Sequence, residues 1–218
     1  MKLVIAHYNE DLKWLSRVPS HHEIIVLEKE RFMPNLGRDV ASHFLYMLQN
    51  WQTMEGNYIF CQGDPFWHHP WFVADIGTRN YWGWNLLVEN DGSNYWTDMS
   101  RFEQYPMMLH TMCERLGIPM VSNWCFRQGC QFAITGDQVR QLSYERMCEA
   151  LAISVLPEGP YGLEIMYPML FPHLINDLRD RTQTTPSRRP QDLQIQFPDE
   201  FLDEMETAAI ARTGRRLL

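Results

Sequence analysis

The sequence predicts an α/β protein with a mostly parallel central sheet flanked by helices and a C-terminal helical tail. Three observations support this class. Short apolar runs alternate with segments of helical periodicity over the first 61 residues, which is the strand and helix order of such folds. One run contains four successive apolar residues, which is typical of strands in a parallel sheet. The 218 residues suffice for one domain with a substantial core.

The first third of the chain supplies three predicted strands. Leu3–His7 is a short apolar run, and Asp11 is placed to cap a short helix after it. Glu23–Glu28 is predicted as a second buried strand. A helical pattern that ends near Trp51 precedes the third strand, Asn57–Cys61.

The middle of the chain is less regular. Residues 66–105 hold five of the eight Trp within a Gly/Asn/Asp-rich background, and we interpret them as long loops with short strands such as Trp84–Glu89. The later predicted elements are a helix over Met107–Leu116, a strand over Gln131–Thr135, a helix from Asp137 to Leu151 and a helix over Leu163–Leu174.

The chain divides into three predicted regions. Residues 1–181 form the α/β domain. Residues 182–196 are polar, contain proline and hold few apolar residues at their start, which is typical of a linker. Residues 197–218 form the C-terminal helical tail, in which Phe201–Ile210 is amphipathic.

Composition bounds the function. The net charge of −8 argues against non-specific duplex binding, which needs a broad basic face, but leaves room for a local basic pocket. The five cysteines are an odd number without CxxC spacing, which disfavours a disulfide framework and a zinc ribbon. No apolar stretch approaches the ~20 residues that span a bilayer. We therefore expect a cytoplasmic protein without a membrane span, and its oligomeric state stays open.

Polar residues follow the first predicted strand. Tyr8, Asn9 and Glu10 come directly after it, and open α/β sheets bind ligands outside the carboxyl ends of their strands. Amide or acidic side chains at this place can hydrogen-bond a base or a ribose. The alternative is that Asn9 and Asp11 only turn the chain and cap the next helix.

The segment Asn35–Asp39 (NLGRD) precedes the second predicted helix. Gly37 permits close approach of the backbone to a ligand or a positive φ. Arg38 at a helix N-terminus adds charge to backbone N–H groups that already suit an anion. Arg38 and Asp39 can equally form a structural ion pair. The segment is not a phosphate-binding P-loop, because the GxxxxGK[ST] pattern is absent.

The third predicted strand leads into Gln62, Gly63 and Asp64. Asp64 is expected to project from the carboxyl edge of the sheet. Together with His68 or His69 it could hold a divalent metal, which would neutralise a diphosphate leaving group. The alternative is that the two histidines only pack and cap a turn.

Glu164 lies in an otherwise apolar segment, YGLEIMYPMLF. A carboxylate among apolar neighbours is costly unless it is paired or functional, and its pKa would rise toward the range of a general base. The alternative is a salt bridge to an arginine or a place on a solvated helix face. His173, nine residues later, is more often a satisfied structural histidine than a ligand.

Several blocks, taken in chain order, resemble a family of domains of unknown function whose typical blocks read YNEDLxWL, NxGRE and FxQGxPxxH. The matching segments are Val4–Leu15 (VIAHYNEDLKWL), Asn35–Asp39 (NLGRD), Ile59–His69 (IFCQGDPFWHH), Gly129–Ile134 and Glu164–Tyr167. The resemblance covers about residues 3–175, nearly all of the chain before the predicted linker.

More distantly, the plan of this family is similar to that of nucleotide-sugar glycosyltransferases of the GT-A kind, which implies a GT-A-like, Rossmann-like fold. The roles implied by the resemblance are donor binding by Tyr8, Asn9, Glu10, Arg38, Asp39, Gln62 and Gly63, catalysis by Asp64 and Glu164, and a divalent metal, Mn²⁺ or Mg²⁺, at Asp64, His68, His69 and His173. The sequence departs from the Asp-x-Asp motif of those enzymes, since Gln62-Gly63-Asp64 holds one carboxylate, and His68 or His69 would have to replace the other.

The predicted function is transfer of a sugar from a nucleotide sugar to a hydroxyl of a glycan, a small molecule or a modified base. Two alternatives stay open. One is a non-catalytic carbohydrate- or nucleotide-binding module, and the other is a metal-dependent hydrolase that uses Asp64, His68 and His69. The GxSxG elbow, the kinase signatures and a GxGxxG after the first strand are all missing, so other enzyme classes lack support.

Overall fold

The computed structural model describes residues 1–89, 105–179 and 197–213, and it confirms an α/β fold with a C-terminal helix. Five strands form one curled, half-barrel sheet in the order β2-β1-β3-β5-β4. Their bounds are β1 Lys2–His7, β2 Glu23–Glu28, β3 Asn57–Gln62, β4 Tyr81–Glu89 and β5 Asn123–Thr135.

The sheet is mixed, so the prediction of a mostly parallel sheet is wrong. β1 pairs in parallel with β2 and with β3, but β5 runs antiparallel to both β3 and β4. An apolar run reports that a strand is covered on its faces and carries no information on its direction, which explains the error. β2 is also an edge strand rather than a buried one, and Ile24 is 40% exposed.

The helices differ from prediction mainly at their ends. Their bounds are α1 Arg38–Gln49, α2 Phe72–Asp75, α3 Tyr105–Leu116, α4 Gly136–Val139, α5 Tyr144–Ser154, α6 Gly159–Leu170, α7 Leu174–Arg179 and α8 Asp199–Thr213, with 3₁₀ helices at Leu12–Arg17 and Pro65–Trp67. Asp11 caps the first 3₁₀ helix, as predicted, by accepting from the backbone N–H of Lys13. The helix predicted from Asp137 is two helices, capped by Thr135 and Ser143.

Each face of the sheet packs against its own apolar cluster. Val4 and Phe60 point to the face that α1 and α6 cover, while Leu3 and Ile5 point to the face that the first 3₁₀ helix and α2 cover. Successive side chains of a strand alternate between the two faces, so both clusters draw on the same strands. The sheet is therefore a rigid layer from whose edge loops emerge.

The C-terminal helix α8 lies within the predicted tail, and its Leu202, Met205 and Ala209 are buried in the core. The predicted linker, residues 182–196, lies outside the described residues. None of the helices in the described part of the chain combines the length and the apolar character needed to cross a bilayer.

Candidate functional site

A cleft of about 430 Å³ opens where β1 and β3 end. Because the two strands are parallel, their carboxyl ends meet at one edge of the sheet, and the loops that follow them line the cleft with α1, α6 and the bend of β5. The lining residues are Glu10, Arg38, Asp39, Val40, Gln62, Asp64, Trp67, His68, Gln128, Gly129, Cys130, Pro160, Tyr161 and Glu164. The cleft thus brings together seven residues that the sequence singles out on four separate segments.

The turn after β1 is built around Glu10. Its Oε2 accepts a hydrogen bond from the backbone N–H of Tyr8 at 2.5 Å, and Asn9 between them has a φ of 65°. Glu10 packs on Gly63 so closely that a Cβ at Gly63 would lie 2.5 Å from Oε2. Glu10 therefore lines the cleft, Gly63 is needed to make room for it, and Tyr8 and Asn9 shape the turn.

The start of α1 presents Arg38 and Asp39. Gly37 has a φ of 66° and provides no side-chain cap, so the first N–H groups of the helix are not satisfied by a side chain of the capping residue. The Arg38 guanidinium donates to the hydroxyl of Tyr161, and its Cζ lies 4.9 Å from the centre of that ring. Burial acts to lower the pKa of Arg38, but Asp39, Tyr161 and Glu164 raise it overall, so the cation is secure.

Glu164 forms part of the cleft from α6. Glu164 is only 9% exposed, and its Oε1 accepts a hydrogen bond from the backbone N–H of Gly129. Burial raises the pKa of Glu164 to about 7, with a further contribution from Asp39, while the Gly129 N–H, Arg38 and Cys130 act in the opposite direction. A carboxyl that titrates near neutrality in a cleft is suited to accept a proton.

Strained backbone clusters at this cleft. In the described residues, four non-glycine residues have a positive φ, and three of them belong to the segments just described: Asn9 at 65°, Arg38 at 52° and Cys130 at 53°. A side chain in this region of φ costs of order 1–3 kcal/mol and persists only where the surroundings enforce it. The concentration of such residues at one cleft is typical of a functional site.

Asp64 follows β3, and its carboxylate serves two purposes. Its Oδ1 accepts from the backbone N–H of Phe66 at 3.1 Å and so caps the second 3₁₀ helix. The side chain also lines the cleft. Gln62 donates from Nε2 to the backbone carbonyl of Asp64 at 2.7 Å, and His68 packs on Gly129, where a Cβ would lie 2.7 Å from its Cγ.

His69 and His173 do not line the cleft. His69 is fully buried, and its Nε2 lies 2.7 Å from Oδ2 of Asp75. His173 donates from Nε2 to the backbone carbonyl of Ala133 at 2.8 Å, and burial lowers its pKa to about 4, which keeps the ring neutral. Both histidines serve the packing of the domain.

The described residues do not fit a resident metal ion. Across 1–89, 105–179 and 197–213, no three or more His, Cys, Asp and Glu side chains are arranged as a ligand set. Two of the four predicted ligands, His69 and His173, bind other groups. Only two of the predicted ligands, Asp64 and His68, line the cleft, so the predicted Mn²⁺ or Mg²⁺ would have to be brought by a bound donor and stays a prediction.

Three residues of this region escape sequence reasoning. Lys29 is nearly buried after β2 and donates to Asn35 Oδ1 and to the backbone carbonyl of Leu36, both at 3.3 Å. Tyr161 holds Arg38, and the Cys130 thiol interacts with the carboxyl groups of Asp39 and Glu164. Two features of the sequence could have pointed to the first two residues. Lys29 directly follows a parallel strand, and Tyr161 lies three residues before Glu164, which places both on one face of a helix.

Comparison of the chain with known protein families, with curated proteins and with solved structures finds no match. The resemblance of the sequence blocks to an uncharacterised family stays a prediction. What the chain does must therefore be inferred from the chemistry of the cleft.

Proposed function

We propose that the protein is a glycosyltransferase that moves a sugar from a nucleotide sugar to a hydroxyl group, on a GT-A-like plan. The observation that carries the proposal is Glu164, a buried carboxyl group with a pKa of about 7 that faces a cleft beside Arg38 and Tyr161. A base for a hydroxyl acceptor needs such a pKa, and a donor with a diphosphate needs such a cation.

The donor's diphosphate is assigned to the start of α1. The 12-residue helix directs its first N–H groups toward its N-terminus, where an anion is favoured, and Arg38 adds a full positive charge. Arg38 is held by Tyr161, so little side-chain freedom is lost when it binds. Lys29 adds a second cation near Asp39 and Glu10, although burial lowers its pKa.

Glu164 is assigned the role of general base. The acceptor oxygen forms a bond to the anomeric carbon of the donor, and Glu164 takes the hydroxyl proton. The bond between the anomeric carbon and the phosphate oxygen breaks, and its electron pair leaves with the nucleoside diphosphate. Arg38 and the N–H groups of α1 stabilise the charge on this leaving group. Asp39 lies beside both Arg38 and Glu164 and couples the charges of the two.

A second candidate function is a non-catalytic carbohydrate-binding module. The observation in its favour is the charge of the described cleft, where four carboxyl groups (Glu10, Asp39, Asp64 and Glu164) face one arginine. Carboxylates accept hydrogen bonds from neutral sugar hydroxyls but repel phosphates. The transferase remains the first proposal because Arg38 and the N–H groups at the start of α1 supply the positive charge that a diphosphate needs.

The proposal is tested by a panel of nucleotide sugars. Thermal shift with and without Mn²⁺ or Mg²⁺ measures binding, and release of nucleoside diphosphate measures turnover. We expect one donor class to raise the melting temperature and to be consumed. Asp64→Ala then tests whether Asp64 binds a metal ion that arrives with the donor. If so, the Mn²⁺-dependent rise in melting temperature should disappear in this variant.

Two outcomes decide between the candidates. Stabilisation by free glycans without turnover of any nucleotide sugar would favour the binding module. Absence of stabilisation by every nucleotide and nucleotide sugar, in the presence and absence of metal, would overturn the transferase proposal.

A further inference from the structure

A second cleft of about 390 Å³ adjoins the first. It shares Glu10 and Asp64 with the first cleft and is otherwise lined by residues of the two 3₁₀ helices and the turn before them. The two shared carboxylates follow β1 and β3, so the boundary between the clefts is the carboxyl edge of the sheet. The YNEDLKWL block supplies Glu10, Asp11, Lys13 and Trp14 to this second cleft, and of these four the proposed donor site uses only Glu10.

The walls of the second cleft are tied to the loop after β3. Trp14 donates from Nε1 to the backbone carbonyl of Gly63 at 2.8 Å. Its ring meets Phe66 edge to face, with centroids 5.6 Å apart, and the Cζ of Arg17 lies 4.8 Å from the centroid of Phe66. These contacts fix the second cleft relative to Asp64, and therefore relative to the first cleft.

We propose that the second cleft is the acceptor subsite and that it takes a neutral, hydroxyl-rich sugar. This inference rests on the proposed function. A transferase needs two binding sites that meet at the reacting atoms, and these two clefts meet at Glu10 and Asp64. The acceptor hydroxyl crosses that boundary to form the bond described above, and Glu164 receives its proton.

Charge selects the class of acceptor. The second cleft holds three carboxylates (Glu10, Asp11 and Asp64) against two cations, and one of these, Lys13, already pairs with Asp11 at 3.2 Å. Unlike the first cleft, the second has, among the residues that the structure describes, no α-helix N-terminus to offset its net negative charge, because Asp11 caps the short 3₁₀ helix there. A phosphodiester chain, and with it a modified base within a nucleic acid, is therefore disfavoured. Sugar hydroxyls both donate and accept, so they suit carboxylates together with an arginine.

The experiment changes the second cleft alone. We expect Arg17→Ala to raise the acceptor KM by about fivefold or more, the loss expected for one hydrogen bond, while the donor Kd and the slow hydrolysis of the donor by water change less than about twofold. The acceptors are methyl hexopyranosides and neutral disaccharides. The matched control is Arg31→Ala, which removes an exposed arginine that pairs with Glu28 outside both clefts.

A second variant protects the test against loss of folding. This variant is Lys13→Ala. Lys13 lines the same cleft, and because its side chain is 90% exposed, its truncation leaves the packing of Phe66 intact. Melting temperatures of all variants confirm that they are folded. An acceptor KM unchanged in both variants would overturn the proposal, and so would an equal loss of donor affinity. A preference for a nucleic acid that carries a modified base over the neutral saccharides would overturn the assigned acceptor class.

Failure of the proposed function is recognised separately, since it appears as the absence of donor binding and turnover in the wild type. In that case the binding of the same saccharides to wild type and to Arg17→Ala is measured by saturation-transfer NMR. Loss of saccharide contact in Arg17→Ala but not in Arg31→Ala would support the subsite, and equal contact in all three proteins would overturn it.

Discussion

Two polar clusters lie within the same domain and differ in how their charges are held. One surrounds Glu164 at the cleft, and the other joins His69, Asp75 and Arg79 beside α2. In the second cluster, Oδ2 of Asp75 meets His69 Nε2 at 2.7 Å and Arg79 Nη2 at 2.8 Å, and none of the three residues lines either described cleft. In the first, a buried carboxyl group faces a cavity and is bordered by backbone with positive φ.

The two clusters differ in whether the carboxyl group is paired within the fold or is left facing a cleft. Asp75, which is partly exposed, accepts hydrogen bonds from His69 and Arg79 and so satisfies donors that lie largely out of solvent. Glu164 is placed where its proton is gained and lost near pH 7, which contributes nothing to stability at higher pH and is useful to a reaction. One of the three histidines predicted as metal ligands, His69, belongs to the structural cluster.

The largest effect is expected from Glu164→Gln. The amide keeps the size of the side chain but cannot accept the acceptor's proton, so the rate of transfer should fall by about 10²- to 10⁴-fold. The melting temperature should stay the same or rise near neutral pH, because no buried charge remains to be formed. Turnover and thermal unfolding of the same preparation check both parts. An unchanged rate would remove Glu164 from catalysis.

The second prediction concerns stability against pH. Burial raises the pKa of Glu164 from 4.5 to about 7, so the folded state binds this proton more tightly than the unfolded state. The resulting stabilisation, about 3 kcal/mol, is complete below pH 4.5 and is lost as the pH rises through 7. Urea unfolding between pH 4 and 8 should show this slope in the wild type, and Glu164→Gln should lack it. Parallel slopes in the two proteins would contradict the assignment.

The third prediction is loss of donor affinity in Arg38→Ala. Hydrogen bonds to a charged group contribute about 1.5–3 kcal/mol, so the donor Kd should rise by about 10- to 100-fold. Arg31→Ala is the control for removal of one arginine. Calorimetry with the donor that the panel identifies measures both. Equal affinities for Arg38→Ala and wild type would show that the diphosphate binds elsewhere.

How much of this contrast the sequence could predict depends on the kind of signal. Glu164 could be predicted because it is a single carboxylate in an apolar run. Glu10 and Asp64 could be predicted because each follows an apolar strand, and both patterns are local. The direction of β5 and the turn of His69 toward Asp75 depend on contacts between distant segments, which periodicity does not encode. Cys130 lines the cleft beside Gly129, and the positive φ of both residues, 53° and 124°, has no signal in the hydrophobic pattern of the strand.

The fourth prediction tests the structural cluster. Asp75→Ala removes the acceptor for His69 and Arg79 and leaves buried donors without a partner, which costs about 1–3 kcal/mol. In a chain of this size that corresponds to a fall of about 2–4 °C in melting temperature per kcal/mol. The affinity for the nucleotide-sugar donor, measured by calorimetry, should not change. A loss of donor binding in a folded Asp75→Ala protein would place this cluster in the site.

The smallest effect is expected from Gly63→Ala. The added Cβ would lie 2.5 Å from Oε2 of Glu10, so this side chain must shift along the boundary of the two clefts. We expect a few-fold rise in the acceptor KM, because Glu10 lines both clefts, and a small fall in melting temperature, because the atoms that must move belong to a single partly exposed side chain. Gly56→Ala serves as the control, because its Cβ would meet no atom within 4 Å although its φ is 77°. An acceptor KM equal in the two variants would argue against the boundary role of Glu10.

The most direct measurement of the central claim is the pH dependence of nucleoside diphosphate release from the identified donor, in wild type and in Glu164→Gln. The account predicts that kcat/KM of the wild type rises through a single ionisation near pH 7, and that the residual rate of the variant is flat over the same range. A variant with the same rise in rate would contradict the account, because the ionisation would then belong to another group.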